Sequence, residues 1–182
     1  MPALAIWTQQ DQMLGAVAPL ALAAAKRTSL VVDADDHGPR YPGSGSLARL
    51  VAEGPRRDDL EPVRSGRAVL RNGGVRLDAA AEVIAALIEG WSYVVLRLPP
   101  AGPLKCRWAA TVPVRLAVPG DVLGVWNGPA VWQPVGWRAA PRAGVNLPRP
   151  QPRAWAALLA GRSPARDRWV AAWRRVWEMA WE

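Results

Sequence analysis

The sequence has few of the residues from which metal sites and hydrolase triads are built. Its 182 residues include one cysteine, Cys106, one histidine, His37, and no phenylalanine. A lone cysteine excludes an internal disulfide and a cysteine zinc site, and a lone histidine removes most metal, Ser-His and Cys-His arrangements. We therefore predict no metal site and no nucleophilic active site of these kinds.

Long hydrophobic runs are missing as well. A helix that spans a bilayer needs about 18 or more apolar residues, whereas the run Leu14–Ala25 is shorter and contains Pro19. No basic segment precedes this run, as one would in a secretion signal. We therefore expect a cytoplasmic protein. With 182 residues, of which 51% are apolar, the chain is long enough to bury one core, and we do not expect two full domains.

Positive charge is plentiful and unevenly placed. The net charge is +8, and only Lys26 and Lys105 among the basic residues are not arginine. Residues 138–182 carry nine basic and three acidic side chains. Two explanations stay open: the arginine content reflects genomic base composition, or the basic C-terminal third faces the phosphates of nucleic acid or anionic lipid.

Apolar runs alternate with helical patterns over the first 140 residues. The runs are short and bounded by charged, glycine or proline residues, which is typical of buried strands. Strands separated by helices predict an α/β domain with a parallel sheet over residues 1–140. The predicted strands are Leu4–Trp7, Leu30–Asp33, Ala68–Leu70, Tyr93–Leu98, Val114–Val118 and Val122–Trp126, and the predicted helices are Gln12–Lys26, Ser46–Ala52 and Ala79–Glu89.

A proline-rich connection, residues 141–152, leads to a helical segment, residues 153–182, which we expect to pack on the same domain. Tryptophan recurs there at every fourth position, which predicts one amphipathic helix over Ala165–Trp181. The stripe consists of Trp169, Trp173, Trp177 and Trp181.

Three interpretations of this stripe stay open. The helix can pack on the sheet and close the domain. It can also dock a partner protein or a second copy, because tryptophan and arginine dominate binding hot spots. The third is peripheral contact with the inner membrane through an interfacial helix. The candidate partner or membrane residues are Arg168, Trp169, Trp173, Arg174, Arg175, Trp177 and Trp181.

Two segments carry a distinctive pattern of strand ends. Ser29–Asp36 reads S-L-V-V-D-A-D-D, and Trp91–Pro100, which follows a predicted helix, reads W-S-Y-V-V-L-R-L-P-P. They resemble the D-A-D strand and the Y-D-Y-V-V-x-D-x-P-P strand of the ParA/MinD branch of the P-loop ATPases, including the TadZ/CpaE type that positions pili. The resemblance covers about residues 3–127. It implies a reduced three-layer P-loop NTPase fold, with a parallel sheet flanked by helices.

The groups with which that family holds ATP and Mg²⁺ are missing from the matching positions. The family has a G-K-G-G-x-G-K-T loop after its first strand, and such a loop holds phosphates with backbone N–H groups and a lysine. Here Thr8–Ala16 contains one glycine and no lysine. Arg97 stands where the family has the carboxylate that orders Mg²⁺. Asp33 and Asp35 match the acidic pair near the attacking water, and we interpret both as vestigial.

We therefore predict no cofactor and no ATP hydrolysis. Asn127 is similar to a family asparagine that can face the adenine base, and an ordinary turn asparagine before Gly128 is the alternative. Because Arg97, Asp33 and Asp35 all stand at strand ends, we hypothesise that the guanidinium pairs with a carboxylate in place of the missing cation.

The resemblance implies a non-catalytic pseudo-ATPase that acts as a localisation, assembly or regulatory partner in cell division, partition or pilus positioning. Family members work as face-to-face nucleotide-bound dimers, so the expected partner is an active homologue, which could supply the nucleotide that this chain lacks, or a second copy. The alternative is a protein that binds DNA nonspecifically through its arginine-rich C-terminal third. An enzyme with residual nucleotide binding and a RecA-like recombination accessory are further alternatives.

Overall fold

The computed structural model describes residues 3–43, 45–54, 66–101, 106–118, 126–136, 142–164 and 166–181. Within these residues, seven strands form one sheet in the order β3-β2-β4-β1-β5-β6-β7, and every neighbouring pair is parallel. Helices lie on both faces, so the predicted α/β architecture with a parallel sheet is confirmed. The strands are β1 (Ala3–Trp7), β2 (Ser29–Asp33), β3 (Arg67–Leu70), β4 (Val94–Arg97), β5 (Ala110–Ala117), β6 (Ala130–Pro134) and β7 (Gly144–Asn146). The helices are α1 (Gln12–Ala24), α2 (Leu47–Glu53), α3 (Ala81–Gly90), α4 (Pro152–Leu159), α5 (Arg168–Ala172) and α6 (Arg174–Glu178).

The central strands are apolar on both sides because both faces of the sheet are covered. β2 reads S-L-V-V-D and β4 reads V-V-L-R, and all of their residues are buried. Such continuous apolar runs are typical of strands in parallel sheets. α1 is also buried along most of its length, and the Asp11 carboxylate caps its first turn by accepting a hydrogen bond from the Leu14 N–H.

Alternating side chains divide the core into two layers. On one side of the sheet, the α1 face, Ile6, Val31 and Val95 belong to the same buried cluster as α1, α4, α5 and α6. On the other side, the α3 face, Leu30 and Leu96 pack with α2 and α3. This three-layer arrangement brings the carboxyl ends of the strands together at one edge, where ligand sites of such folds lie.

Several strands differ from the sequence prediction. β5 begins at Ala110 rather than Val114, and Val122–Trp126 falls, apart from Trp126, outside the described residues. The sequence does not predict β6 and β7, because each is short and flanked by glycine and proline. β7 lies within the expected extended connection over residues 141–152.

The tryptophan stripe faces the core. In place of one helix over Ala165–Trp181, the chain forms α5 and α6, which meet at Trp173. Trp169 and Trp173 are fully buried, and the Trp169 indole donates a 2.6 Å hydrogen bond to Gln133 Oε1 on β6. The partner and membrane interpretations therefore do not hold for these two side chains, because neither reaches the surface.

The last turn of the chain is tied to α1. Trp177 and Trp181 are half-buried, and the Trp177 indole donates to the Leu22 carbonyl at 3.0 Å. The Tyr93 ring lies edge-on to the Trp177 ring, with the ring centres 5.2 Å apart. None of the described helices is both long enough and apolar enough to cross a bilayer.

Candidate functional site

Arg97 and the two acidic residues meet at the carboxyl edge of the sheet. Asp33 ends β2, Arg97 ends β4, and the two are register partners in this parallel pair. β1 and β4 are neighbours in the sheet. The chain leaves them in opposite directions along the strand order, since β1 is followed by β2 and β4 is followed by β5. Ligands of open α/β sheets bind outside the carboxyl ends of the strands at such a point. This edge is therefore the candidate site.

Arg97 bridges both carboxylates. Its Nη2 donates to Asp35 Oδ2 at 2.7 Å, and its Nη1 donates to Asp33 Oδ2 at 3.3 Å and to the Pro39 carbonyl at 2.6 Å. The three charged side chains are at most 3% exposed. The hypothesis that Arg97 pairs with the acidic residues is confirmed. A single guanidinium thus links the ends of β2 and β4 with the loop after β2.

The loop after β2 encloses this cluster, which we call the Arg97 cluster (Asp33, Asp35 and Arg97). The Arg97 guanidinium carbon lies 5.3 Å from the centre of the Tyr41 ring, within cation–π range. The Tyr41 hydroxyl in turn donates to the Ala16 carbonyl of α1 at 2.7 Å. A Cβ atom at position 38 would collide with the guanidinium, so the close approach of the loop requires Gly38.

Burial controls the charge of the cluster. Two carboxylates share one guanidinium in a site with little water, which disfavours full ionisation. Burial raises the pKa of Asp33 to about 6, although Arg97 and the hydrogen bond from the Asp35 N–H act in the opposite direction. Asp33 is also the carboxylate farther from the guanidinium, at 3.3 Å against 2.7 Å for Asp35.

A carboxylate occupies the N-terminus of α1 as well. The N-terminus of a helix attracts anions because its first N–H groups lack partners within the helix. Here Asp11 Oδ1 accepts from the Leu14 N–H at 2.7 Å. The loop before it is tied to β5, since Gln10 Oε1 accepts from the Leu116 N–H at 2.8 Å. An incoming phosphate would meet the negative charge of Asp11 at this helix terminus.

The space between α1 and the Arg97 cluster is small. A cavity of about 50 Å³ is lined by Thr8, Asp11 and Gly15 on the α1 side and by Asp35 and Arg97 on the other. Sites for small-molecule ligands enclose ~300–1,000 Å³. The cavity therefore has room for water but not for a nucleoside triphosphate.

Among the described residues, one group of potential metal ligands adjoins the site. Asp35, Asp36 and His37 each offer one ligand atom, and these atoms lie within 4.8 Å of one another. Asp35 already bonds to Arg97, whose positive charge opposes a second cation. Asp36 and His37 are exposed and pair with each other. We assign no metal to this group.

The other candidates from the sequence lie apart from the Arg97 cluster. Asn127 is exposed before β6 and does not line the small cavity. The arginines predicted as partner or membrane residues are exposed on α5 and α6; they are Arg168, Arg174 and Arg175.

Sequence interpretation misses several residues of the site, among them Asp11 and Tyr41. Asp11 stands directly before an apolar helical run, which is the usual N-cap signal and could have identified it. Tyr41 lies in a loop rich in glycine and proline, and no local pattern marks it as a neighbour of Arg97.

Comparison with known proteins identifies no family for this chain. No protein-family model matches the sequence, and no curated protein matches it.

Proposed function

We propose that this chain is a non-catalytic pseudo-ATPase of the ParA/MinD type that acts through protein contacts, as a localisation, assembly or regulatory partner. The observation that carries the proposal is the Arg97 guanidinium, 2.7 Å from Asp35 and 3.3 Å from Asp33, where a hydrolytic site would hold Mg²⁺. Phosphoryl transfer depends on a metal ion and on positive groups placed around the triphosphate. Here the positive charge is that of the protein's own Arg97 side chain, and the two carboxylates neutralise it.

A carboxyl edge held in one shape can serve as a constant binding surface. In the family that the chain resembles, pairing is face to face, so the partner would be an active homologue or a second copy. The Arg97 cluster supports the edge without ATP. Pairing therefore requires no nucleotide on this chain's own side.

Nucleotide binding tests the proposal directly. We expect Mg-ATP and Mg-ADP to leave the melting temperature unchanged in a thermal shift assay, because a ligand stabilises only a fold that binds it. A nucleotide-dependent rise in Tm would overturn the proposal. So would ATP hydrolysis that is abolished by Arg97→Ala.

The role in cells is tested with a fluorescent fusion of the full chain. We expect a discrete position, such as a pole, a septum or a pilus base, that does not change when cellular ATP is depleted. A uniform distribution in growing cells would contradict a localisation or assembly role.

A second candidate function is nonspecific nucleic-acid binding, which the outer surface of α4–α6 favours. Among the described residues from 151 to 181, the exposed side chains are mostly arginine or alanine, and Glu178 is the one exposed acidic residue. Because the tryptophans face inward, this surface offers positive charge without the apolar face that an interfacial membrane helix needs. Phosphate backbones require only the charge. The exposed arginines are Arg153, Arg162, Arg166, Arg168, Arg174 and Arg175.

A DNA mobility-shift assay over a range of salt concentrations tests this second function. We expect binding at low salt that is lost at moderate salt, and the double variant Arg174→Glu, Arg175→Glu should reduce the log–log salt slope by about two. The control carries the same change of charge elsewhere, as Arg40→Glu, Arg107→Glu. Absence of binding at low salt removes this candidate.

A further inference from the structure

Among the residues that the structure describes, the α3 face of the sheet is unevenly covered. α2 and α3 pack on the half that contains β2, β3 and β4. Over β5 and β6, the buried cluster consists of Ala117, Ala130 and Trp132 with Trp126 beside it, and it includes no residue of a described helix. The described parts of the connection from β4 to β5, residues 98–101 and 106–109, hold no helix either.

Two adjoining cavities open along the connection from β4 to β5. The first, of about 560 Å³, lies between the end of β4 and the segment before α3, and its walls include Leu77 and Leu98. The second, of about 750 Å³, has Trp126 and Trp181 in its walls. Both volumes lie within the range of ligand sites, ~300–1,000 Å³. The two cavities share the wall formed by residues 106–108, and we call the pair the Trp108 groove.

The chemistry of the groove is apolar with one available cation. The Arg107 guanidinium lies 4.4 Å from the centre of the Trp108 ring, is exposed, and has no acidic partner among the described residues. Of the other charged residues at the rim of the first cavity, Arg76 pairs with Asp78 at 3.0 Å, and the Asp36 carboxylate lies against the imidazole of His37.

We propose that the Trp108 groove binds an extended segment of a partner protein that carries one carboxylate between apolar side chains. The carboxylate pairs with Arg107, and the apolar side chains enter the cavities on either side of it. Trp and Arg are the residue types that most often supply binding energy in such interfaces. A polyanion is a poor match, because the described rim has one unpaired cation.

The groove adjoins the Arg97 cluster at Ala34 and Asp36 but lies towards the other face of the sheet. Arg97 and Asp33 follow Val95 and Val31 by two positions and so face the same side, whereas Leu98 lies on the α3 face. The inference rests on the proposed function, because it names the surface through which a protein-binding role would operate.

A peptide selection with the full chain tests this inference. Random short peptides displayed on phage are selected on the wild type, and the enriched sequences are made as labelled peptides for affinity measurements. We expect an enriched Asp or Glu flanked by apolar residues, and about a tenfold loss of affinity with Arg107→Glu, as for loss of one charge-assisted contact. Changing the acidic residue of the peptide to Lys should restore binding to Arg107→Glu.

Matched variants exclude indirect effects. Val75→Trp places a large ring in the wall of the first cavity and should weaken binding, whereas Arg153→Glu, on α4, should leave it unchanged. All variants are checked for an unchanged melting temperature. The inference is overturned if no sequence is enriched, if the enriched peptides lack an acidic residue, or if they bind Arg107→Glu and Val75→Trp as tightly as the wild type.

The two proposals fail separately. Stabilisation by Mg-ATP together with selected acidic peptides would refute the pseudo-ATPase proposal and leave the groove in place. If Mg-ATP does not stabilise the chain and no peptide is enriched, the groove proposal alone is refuted.

Discussion

Arg97, Asp33 and Asp35 carry one positive and two negative charges when all are ionised, and the protein shields them from water. Charges in such a place are tolerated only when they are paired and hydrogen-bonded. The Pro39 carbonyl completes the set by accepting from Arg97 Nη1 at 2.6 Å. Stability of the carboxyl edge therefore depends on the Arg97 guanidinium.

We expect Arg97→Asp to destabilise the fold by roughly 3–5 kcal/mol, because it leaves three buried carboxylates without a cation. Urea unfolding monitored by circular dichroism measures the change. The exposed Arg107→Asp serves as the control and should change stability by less than about 0.5 kcal/mol. Equal unfolding midpoints for the two variants would contradict the structural role of Arg97.

The pKa of Asp33 gives the stability a pH dependence of known sign. It is about 6 in the fold against 3.8 for the unperturbed group, so between these values the folded state keeps a proton that the unfolded state has lost. The stabilisation that this proton gives to the fold is fully present below pH 3.8 and is lost as the pH rises through 6. The resulting decrease in the free energy of unfolding is up to ~3 kcal/mol.

Asp33→Asn removes the titrating group and keeps its shape. We expect the free energy of unfolding of the wild type, minus that of the variant, to decrease between pH 4 and pH 7 and to stay constant above about pH 7. Equilibrium unfolding at a series of pH values measures this difference. A difference that does not vary with pH would show that Asp33 titrates in the fold as it does in the unfolded chain.

The pairing of these residues can be predicted from the sequence, but their surroundings cannot. Asp33 and Arg97 end apolar strands, and parallel strands bring their carboxyl ends to one edge. The Pro39 carbonyl and the Tyr41 ring belong to a loop whose path depends on contacts distant in the chain, such as the hydrogen bond from Tyr41 to Ala16. No local pattern encodes such contacts.

At the scale of elements, a buried arginine joins the edge strand to two helices. Arg67 begins β3 and is 1% exposed. Its Nη1 donates to the Leu20 carbonyl of α1 at 3.2 Å, and its Nη2 donates to the carbonyls of Leu158 and Arg162 at 3.5 and 3.4 Å. Burial lowers the pKa of Arg67, and carbonyl oxygens at the end of α4 offset part of that cost because the helix C-terminus is negative.

We expect Arg67→Ala to cost roughly 2–4 kcal/mol, through lost charge-assisted hydrogen bonds and an unfilled cavity. Hydrogen exchange should show the largest loss of amide protection in α4, which is anchored by this side chain. Arg153→Ala, on the exposed side of α4, is the matched control and should leave protection unchanged. Uniform loss of protection over the whole sheet would argue against a specific anchor.

The elements that the sequence predicts are those with a strong local period or a long apolar run. β2, β4 and α1 are of this kind, since each is nearly continuous in buried apolar residues. β7 has three residues, of which only Val145 is buried, so its sequence does not differ from that of a loop. The tryptophan period marks an apolar face correctly, but a period does not specify whether the same chain or another molecule covers that face.

For the whole molecule, the sheet order explains why one half depends on the C-terminal segment. β5, β6 and β7 lie on the side of β1 away from β2, and their α1-face residues Val114, Val131 and Val145 belong to one cluster with Trp169 and Val176. Sequence reasoning cannot find this arrangement, because strand order depends on which connections cross over the sheet. The C-terminal helices thus complete a core that begins with the first strand.

Removal of residues 165–182 is therefore expected to unfold the protein instead of releasing a detachable tail. Complete loss of one buried tryptophan costs about 3–5 kcal/mol, and Trp169 and Trp173 are both fully buried. The sum approaches the whole stability of a typical domain, ~5–15 kcal/mol. Far-ultraviolet circular dichroism and thermal unfolding of residues 1–164 measure the effect, with deletion of residues 179–182 as a control that retains both rings. A shortened chain that still unfolds cooperatively near the wild-type Tm would mean that the sheet is complete without α5 and α6, and that the tryptophans pack there only as an accessory layer.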